Sequence, residues 1–209
     1  MPVKSTMHEI TKKINKTINK LSDSEIDAMI KKIKTKGKAN KIFVMGVGRS
    51  GLVTRMFAMR LVHLGLTAYV VGEIVTPGMT KNDLLIAVSG SGSTKAVISA
   101  AKTAKEIGTE ILAVTSHPES EVGKLSDIIM DLKVKRGAKI DIKKDYFTDQ
   151  IKGEYTSKRY STEELTPLGT LFEDTAMIFF EGIIAGLMVE LEESDEAMKK
   201  RHATLEWFT

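Results

Sequence analysis

Five short apolar runs, 42–45, 68–71, 84–88, 111–115 and 128–132, follow one another from Lys41 onward, and the first four carry no charge. Helical spacing fills the chain between several of them, at 52–64 and 96–107, and a Pro-Gly loop stands at 77–78. A strand with no polar side must be buried on both faces, and this happens when helices cover a parallel sheet. The pattern predicts a three-layer α/β/α sandwich with a five-stranded, mostly parallel sheet. Right-handed crossovers put every strand's C-terminal end on one edge, where sheets of this kind bind ligands.

Residues 1–40 read as a helical extension and 41–209 as the sandwich domain. Met7, Ile10, Ile14, Ile18 and Leu21 recur at helical spacing. Ser22 and Glu25 form a capping-box pattern before Ile26, Met29, Ile30 and Ile33, and Gly37 is the expected stop. Each helix has one apolar stripe, to be packed on the body or on a neighbouring subunit. Residues 1–41 hold eleven Lys against four acids, so the net charge of +4 belongs to these helices and the body is slightly acidic. A solvated Lys-rich face explains this; no Arg-aromatic pattern or recognition motif accompanies it, and a nucleic-acid partner is not expected.

The absence of Cys excludes disulfides, thiolate metal sites and thiol nucleophiles, and the four His have no metal-ligand spacing. No metal is expected. The first residues lack the apolar core of an export signal, which points to the cytoplasm. The apolar segment 171–191 has a longest charge-free run of only 182–189, too short to span a bilayer. Residues 133–166 are polar and poor in aliphatic side chains, and read as a surface excursion, a lid or an arm to another subunit. A long helix is expected from Pro167 to about Glu192, and Ser194 opens a short last one.

Two Gly/Ser-rich turns follow the first and third runs. Residues 46–51, GVGRSG, match GxGxxG, and Glu73 stands 22 residues past Gly51 as a ribose-binding acid would. A dinucleotide reading leaves Arg49, Ser50 and the second turn unexplained. That second turn, residues 89–94, is Ser89, Gly90, Ser91, Gly92, Ser93 and Thr94. Glycines let backbone N–H groups converge on an oxyanion, a helix start adds positive potential, and four hydroxyls can donate. Without the Lys and Ser/Thr of a nucleotide P-loop, the turn suits a phosphate monoester held without metal.

GVGRSG, FAMRLVHLG, VGE-x-x-TP, DLLIAVSGSGST, PLGTLFEDT and the RHATLE tail resemble the SIS (sugar isomerase) family, and within it most closely the 6-phospho-3-hexuloisomerases. The resemblance spans about residues 40–206; Ile74 departs from it, where Thr is frequent. It implies interconversion of D-arabino-hex-3-ulose 6-phosphate and D-fructose 6-phosphate without a cofactor, a cis-enediol intermediate, a place in the ribulose monophosphate pathway beside a 3-hexulose-6-phosphate synthase, and a homotetramer with sites near subunit interfaces. Gly48, Arg49 and Ser50 join residues 89–94 as expected substrate contacts.

By resemblance and by physics, Glu173 is the expected base. Steps of 100° put it on one stripe with Met177, Phe180, Ile184 and Leu187, where desolvation favours the protonated form and raises a carboxyl pKa. The plain alternative is a structural ion pair. Asp174 points about 100° away and reads as a solvated or interface residue. His202 matches a late family His, often supplied by a neighbouring subunit, that assists ring opening or proton transfer. His63 lies in a helix and His117 in a strand-end turn. Rival readings are a non-catalytic sugar-phosphate regulator, a dinucleotide-dependent oxidoreductase, and an arabinose 5-phosphate or phosphoheptose isomerase.

Overall fold

The computed structural model describes residues 3–134 and 170–202. In chain order these form α1 (Val3–Ile18), α2 (Asp23–Gly37), β1 (Ile42–Met45), α3 (Arg49–His63), β2 (Ala68–Val70) and β3 (Leu84–Val88). Then follow α4 (Lys95–Ile107), β4 (Glu110–Thr115), α5 (Glu121–Leu125), β5 (Ile128–Asp131), α6 (Thr170–Leu191) and α7 (Asp195–Lys200). Five of the expected strands are present within one residue at each end. The stretch 135–166 and residues 167–169 lie outside the described residues.

The five strands pair in the order β2-β1-β3-β4-β5, every neighbour parallel, with Val44 beside both Val70 and Ile86. From β1 the chain steps outward to β2; from β3 it steps the other way, to β4 and β5. One handedness of crossover then forces α3 onto one face of the sheet and α4 and α5 onto the other. Alternate side chains follow that split. Ile42, Val44, Leu84, Ile86, Leu112 and Val114 pack with Met29 and Ile33 of α2, Phe57 and Leu61 of α3, and Phe180 and Leu187 of α6. Phe43, Leu85, Ala87, Ile111 and Ala113 pack with Val97, Ala101 and Ala104 of α4 and Val122 of α5. The Phe57 and Phe180 rings stack with centroids 4.2 Å apart, fastening α3 to α6.

Several local expectations are modified by packing. Ser22 Oγ caps α2 by accepting the Glu25 N–H, but the Glu25 carboxylate does not complete the box. It accepts the Asp131 N–H at 2.9 Å instead and ties α2 to β5. Gly37 is not a left-handed stop; α2 includes it and ends through Lys38, which is right-handed. A Cβ at Gly37 would lie 3.0 Å from Ile42 and 3.1 Å from Leu66, so the missing side chain serves packing rather than termination. In α1 only Ile14 of the expected stripe is buried; Met7 and Ile18 are exposed. Met177 is likewise exposed, although the stripe of α6 predicts it buried, because spacing cannot say where a covering neighbour ends.

The Lys-rich extension is partly committed to the body. Lys32 and Lys36 reach Glu110 at the start of β4, at 2.7 and 2.6 Å. Their hydrogen bonds, Lys32 first, hold the Glu110 carboxyl below its usual range. That stabilisation is present above the ordinary carboxylate pKa and is lost as acid protonates Glu110. Among the described residues no helix is long and apolar enough to cross a membrane.

Candidate active site

The two glycine-serine turns lie side by side where the strand order reverses, between β1 and β3, at the C-terminal edge of the sheet. This is the position at which open α/β sheets form their binding crevice. The first turn is tight: a Cβ on Gly46 would lie 2.9 Å from the Ser50 carbonyl, and Gly48 adopts φ 60°. Gly48, which has no side chain, and Thr94, whose hydroxyl makes no capping bond, stand at the starts of α3 and α4. The amide ends of both helices therefore point at the same edge, a setting that favours an anion.

In the second turn the hydroxyls divide into two sets. Ser89 and Thr94 are buried and face each other at 3.1 Å, and Ser89 Oγ also accepts the Gly92 N–H. Ser91 and Ser93 are half-buried, with Ser93 Oγ donating to Ser91 Oγ at 3.0 Å. The expectation of four outward donors is thus narrowed. Ser89 and Thr94 brace the turn from inside, and Ser91 and Ser93 are the pair left toward the edge. Gly92 has φ 61° and runs so close to Ser120 that no side chain fits there.

The first turn of α6 closes the site. Phe172 lies against Gly90, where a Cβ would come within 2.8 Å of the ring, so the next residue, Glu173, is brought to the same edge. Glu173 is 9% exposed and Ser50 8%. Ser50 Oγ donates to Glu173 Oε1 at 3.2 Å, joining two residues 123 positions apart. Arg49 Nε is 3.9 Å from Glu173 Oε2, and Arg49 Nη2 donates to Asp174 Oδ1 at 3.0 Å. Asp174 is therefore not merely solvated: a long guanidinium bridges the 100° between adjacent helix positions and engages both carboxylates.

Other candidates lie apart. His202 packs against His63, the rings tilted by 33° with centroids 3.9 Å apart. Because His63 ends α3 and Ser50 begins it, the pair sits roughly 20 Å from Glu173 by the helical rise. The structure does not bring His202 and Glu173 of one chain together. Glu73 accepts from Arg55 Nε and Nη2 at 2.9 and 2.7 Å, so the residue at the ribose-acid position is held in an ion pair. His117 Nδ1 lies 2.8 Å from the Gly90 carbonyl. Sequence spacing carried no trace of the Asp174, Phe172 and His117 contacts, because each joins segments far apart in the chain. Among the described residues no group of three His, Asp or Glu could hold a metal ion.

A family model described as the SIS domain matches residues 37–143. The chain is 36% identical over 198 residues to the 3-hexulose-6-phosphate isomerase of Bacillus subtilis, covering 95% of this chain and 96% of that protein. It is 41% identical over 187 residues to the protein of that name in Methanocaldococcus jannaschii, covering 90% and 84%. A crystal structure of a hypothetical protein from Methanococcus jannaschii, described as inferring the function of a 3-hexulose-6-phosphate isomerase, superposes with a TM-score of 0.71. It shares 36% identity and covers 94% of this chain and 96% of its own.

Proposed function

The chain belongs to the SIS domain family, and from this we propose that it is a sugar-phosphate isomerase interconverting D-arabino-hex-3-ulose 6-phosphate and D-fructose 6-phosphate. The observation that carries the reading is Glu173, a buried carboxylate hydrogen-bonded by Ser50 beside a serine-rich turn at the sheet's switch point. A site that only bound a phosphosugar would need the turn but not that carboxylate.

The reaction moves a carbonyl between C2 and C3. Starting from fructose 6-phosphate, a base takes the C3 proton while O2 gains one, giving the cis-enediol. The base then returns its proton to C2 as O3 loses one, leaving the carbonyl at C3. Glu173 is the proposed base, since one carboxylate can serve both neighbouring carbons from one side. Ser50 orients it by donating to Oε1. Arg49, already directed at both acids of α6, supplies a cation for the enediol oxygens. Ser91, Ser93 and the start of α4 receive the phosphate, braced by Ser89, Gly90, Gly92 and Thr94.

His202 can assist ring opening only if a neighbouring subunit brings it to the site. Leu52, Met56, Met59 and Val62 make an exposed apolar stripe along α3, and Met177 and Ile178 add to it from α6. Such a contiguous apolar face is uncommon on a monomer. We read it as the contact between copies of the chain in a homotetramer. In sedimentation equilibrium the protein is expected to be oligomeric, and Leu52→Lys with Met56→Lys to shift it to smaller species. A monomeric wild type would refute this assembly.

The activity itself is tested by supplying fructose 6-phosphate together with a 3-hexulose-6-phosphate synthase, the proposed metabolic neighbour. Formaldehyde release that is unaffected by chelator is the expected result. Absent turnover, with fructose 6-phosphate still raising the unfolding temperature, would mean a non-catalytic phosphosugar-binding protein.

A further inference from the structure

The carbonyl of Gly90, in the serine turn, is held from the β4 side by two donors. His117 Nδ1 lies 2.8 Å from it and the Ser116 N–H 3.3 Å. A carbonyl oxygen only accepts, so the imidazole hydrogen of this contact sits on Nδ1. The backbone of His117 is itself fixed, its N–H donating at 3.1 Å to Oγ1 of Thr115, which is fully buried at the end of β4. On its other side Gly90 abuts the Phe172 ring. The turn is thus clamped between the first turn of α6, which carries Glu173, and the turn after β4.

We propose that His117 is a positioning residue of the anion-binding turn. An anion site requires donors inward and carbonyl oxygens outward, because a carbonyl dipole pointing at a phosphate dianion repels it. By fastening the Gly90 carbonyl toward β4, His117 keeps that partial negative charge off the ligand side. Ser91, Ser93 and the start of α4 are then left to face the phosphate. The Ser116 N–H makes the longer of the two contacts, so the imidazole is the closer restraint on the peptide's orientation. His117 acts through Gly90 and takes no part in the proton transfer. This inference rests on the proposed reading of the turn as the phosphate site.

The test uses the full chain with inorganic phosphate and fructose 6-phosphate as ligands, followed by titration calorimetry and, separately, by turnover. His117→Ala is expected to weaken both ligands about tenfold, the scale of one lost hydrogen bond, and to raise KM correspondingly with kcat within twofold. His117→Asn, whose side-chain amide can donate to the same carbonyl, is expected to stay within about twofold of wild type. Ligand affinity in His117→Ala equal to wild type would overturn the inference. So would an Asn variant as weak as the Ala variant, or a loss confined to kcat. Wild-type protein that binds neither ligand would overturn the phosphate-site reading itself, a result visible before any His117 variant is made.

Discussion

Glu173→Gln is expected to lower isomerase turnover by about 10²–10⁴-fold, the range a positioned general base supplies, while leaving phosphosugar affinity within a few-fold. Gln keeps the shape of Glu and an oxygen that can accept the Ser50 hydroxyl, whose bond to Glu173 Oε1 is 3.2 Å. It cannot take a proton from carbon. Glu173 is buried, and a neutral amide of the same shape costs less to bury than a carboxylate, so the substitution should not unfold the protein. Asp174→Asn is the companion measurement. Asp174 touches Arg49 but not Ser50 in the observed pairings, so its loss is expected to cost less than tenfold. A Gln variant retaining a tenth of wild-type turnover would remove Glu173 as the base.

The second large effect is expected at Gly92. Its φ of 61° is a conformation that costs an L side chain about 1–2 kcal/mol. A Cβ there would also overlap the Ser120 side chain. Ser120 Oγ caps α5 by accepting the Gly123 N–H, so rotating it away forfeits a cap worth about 1 kcal/mol. Gly92→Ala should therefore destabilise the protein by about 2–3 kcal/mol, a fall of roughly 4–12 °C in Tm for a chain of this size. Its phosphate affinity should fall as well, because Gly92 N–H is bonded to Ser89 and fixes the turn. Adding Ser120→Gly should recover part of the loss despite costing the cap, a non-additivity expected only for touching residues. Additive losses in a thermal or denaturant series would contradict the steric account.

The two predictions separate chemistry from scaffold. One should leave stability and destroy turnover; the other should damage the turn by strain. Between them lies the proposed site, assembled from three stretches of chain, 46–51, 89–94 and 172–174. The two turns and Glu173 were legible in the amino-acid sequence as patterns, whereas the parts played by Phe172 and Asp174 were not. The glycine-serine turns follow short apolar strands, and Glu173 interrupts an apolar helix. Their adjacency was legible only indirectly, through the rule that parallel strands end on one edge.

Sequence alone determined the five strands, the longer helices that cover them and the identity of the turns, since these depend on residue spacing and on glycine's backbone freedom; the short α5 was not among them. Tertiary structure decided how those pieces are used. Glu25 caps β5 rather than its own helix, and Gly37 makes room for Ile42 and Leu66 rather than ending α2. Arg49 bridges Glu173 and Asp174 across the helix surface, and His202 packs against His63 at the end of α3 remote from Ser50. Periodicity reports which face of an element is apolar; it carries no information about which distant side chain will meet a given polar atom. Such pairings are settled only when the elements dock, because a buried hydrogen-bonding group takes whichever partner the packed core brings within reach.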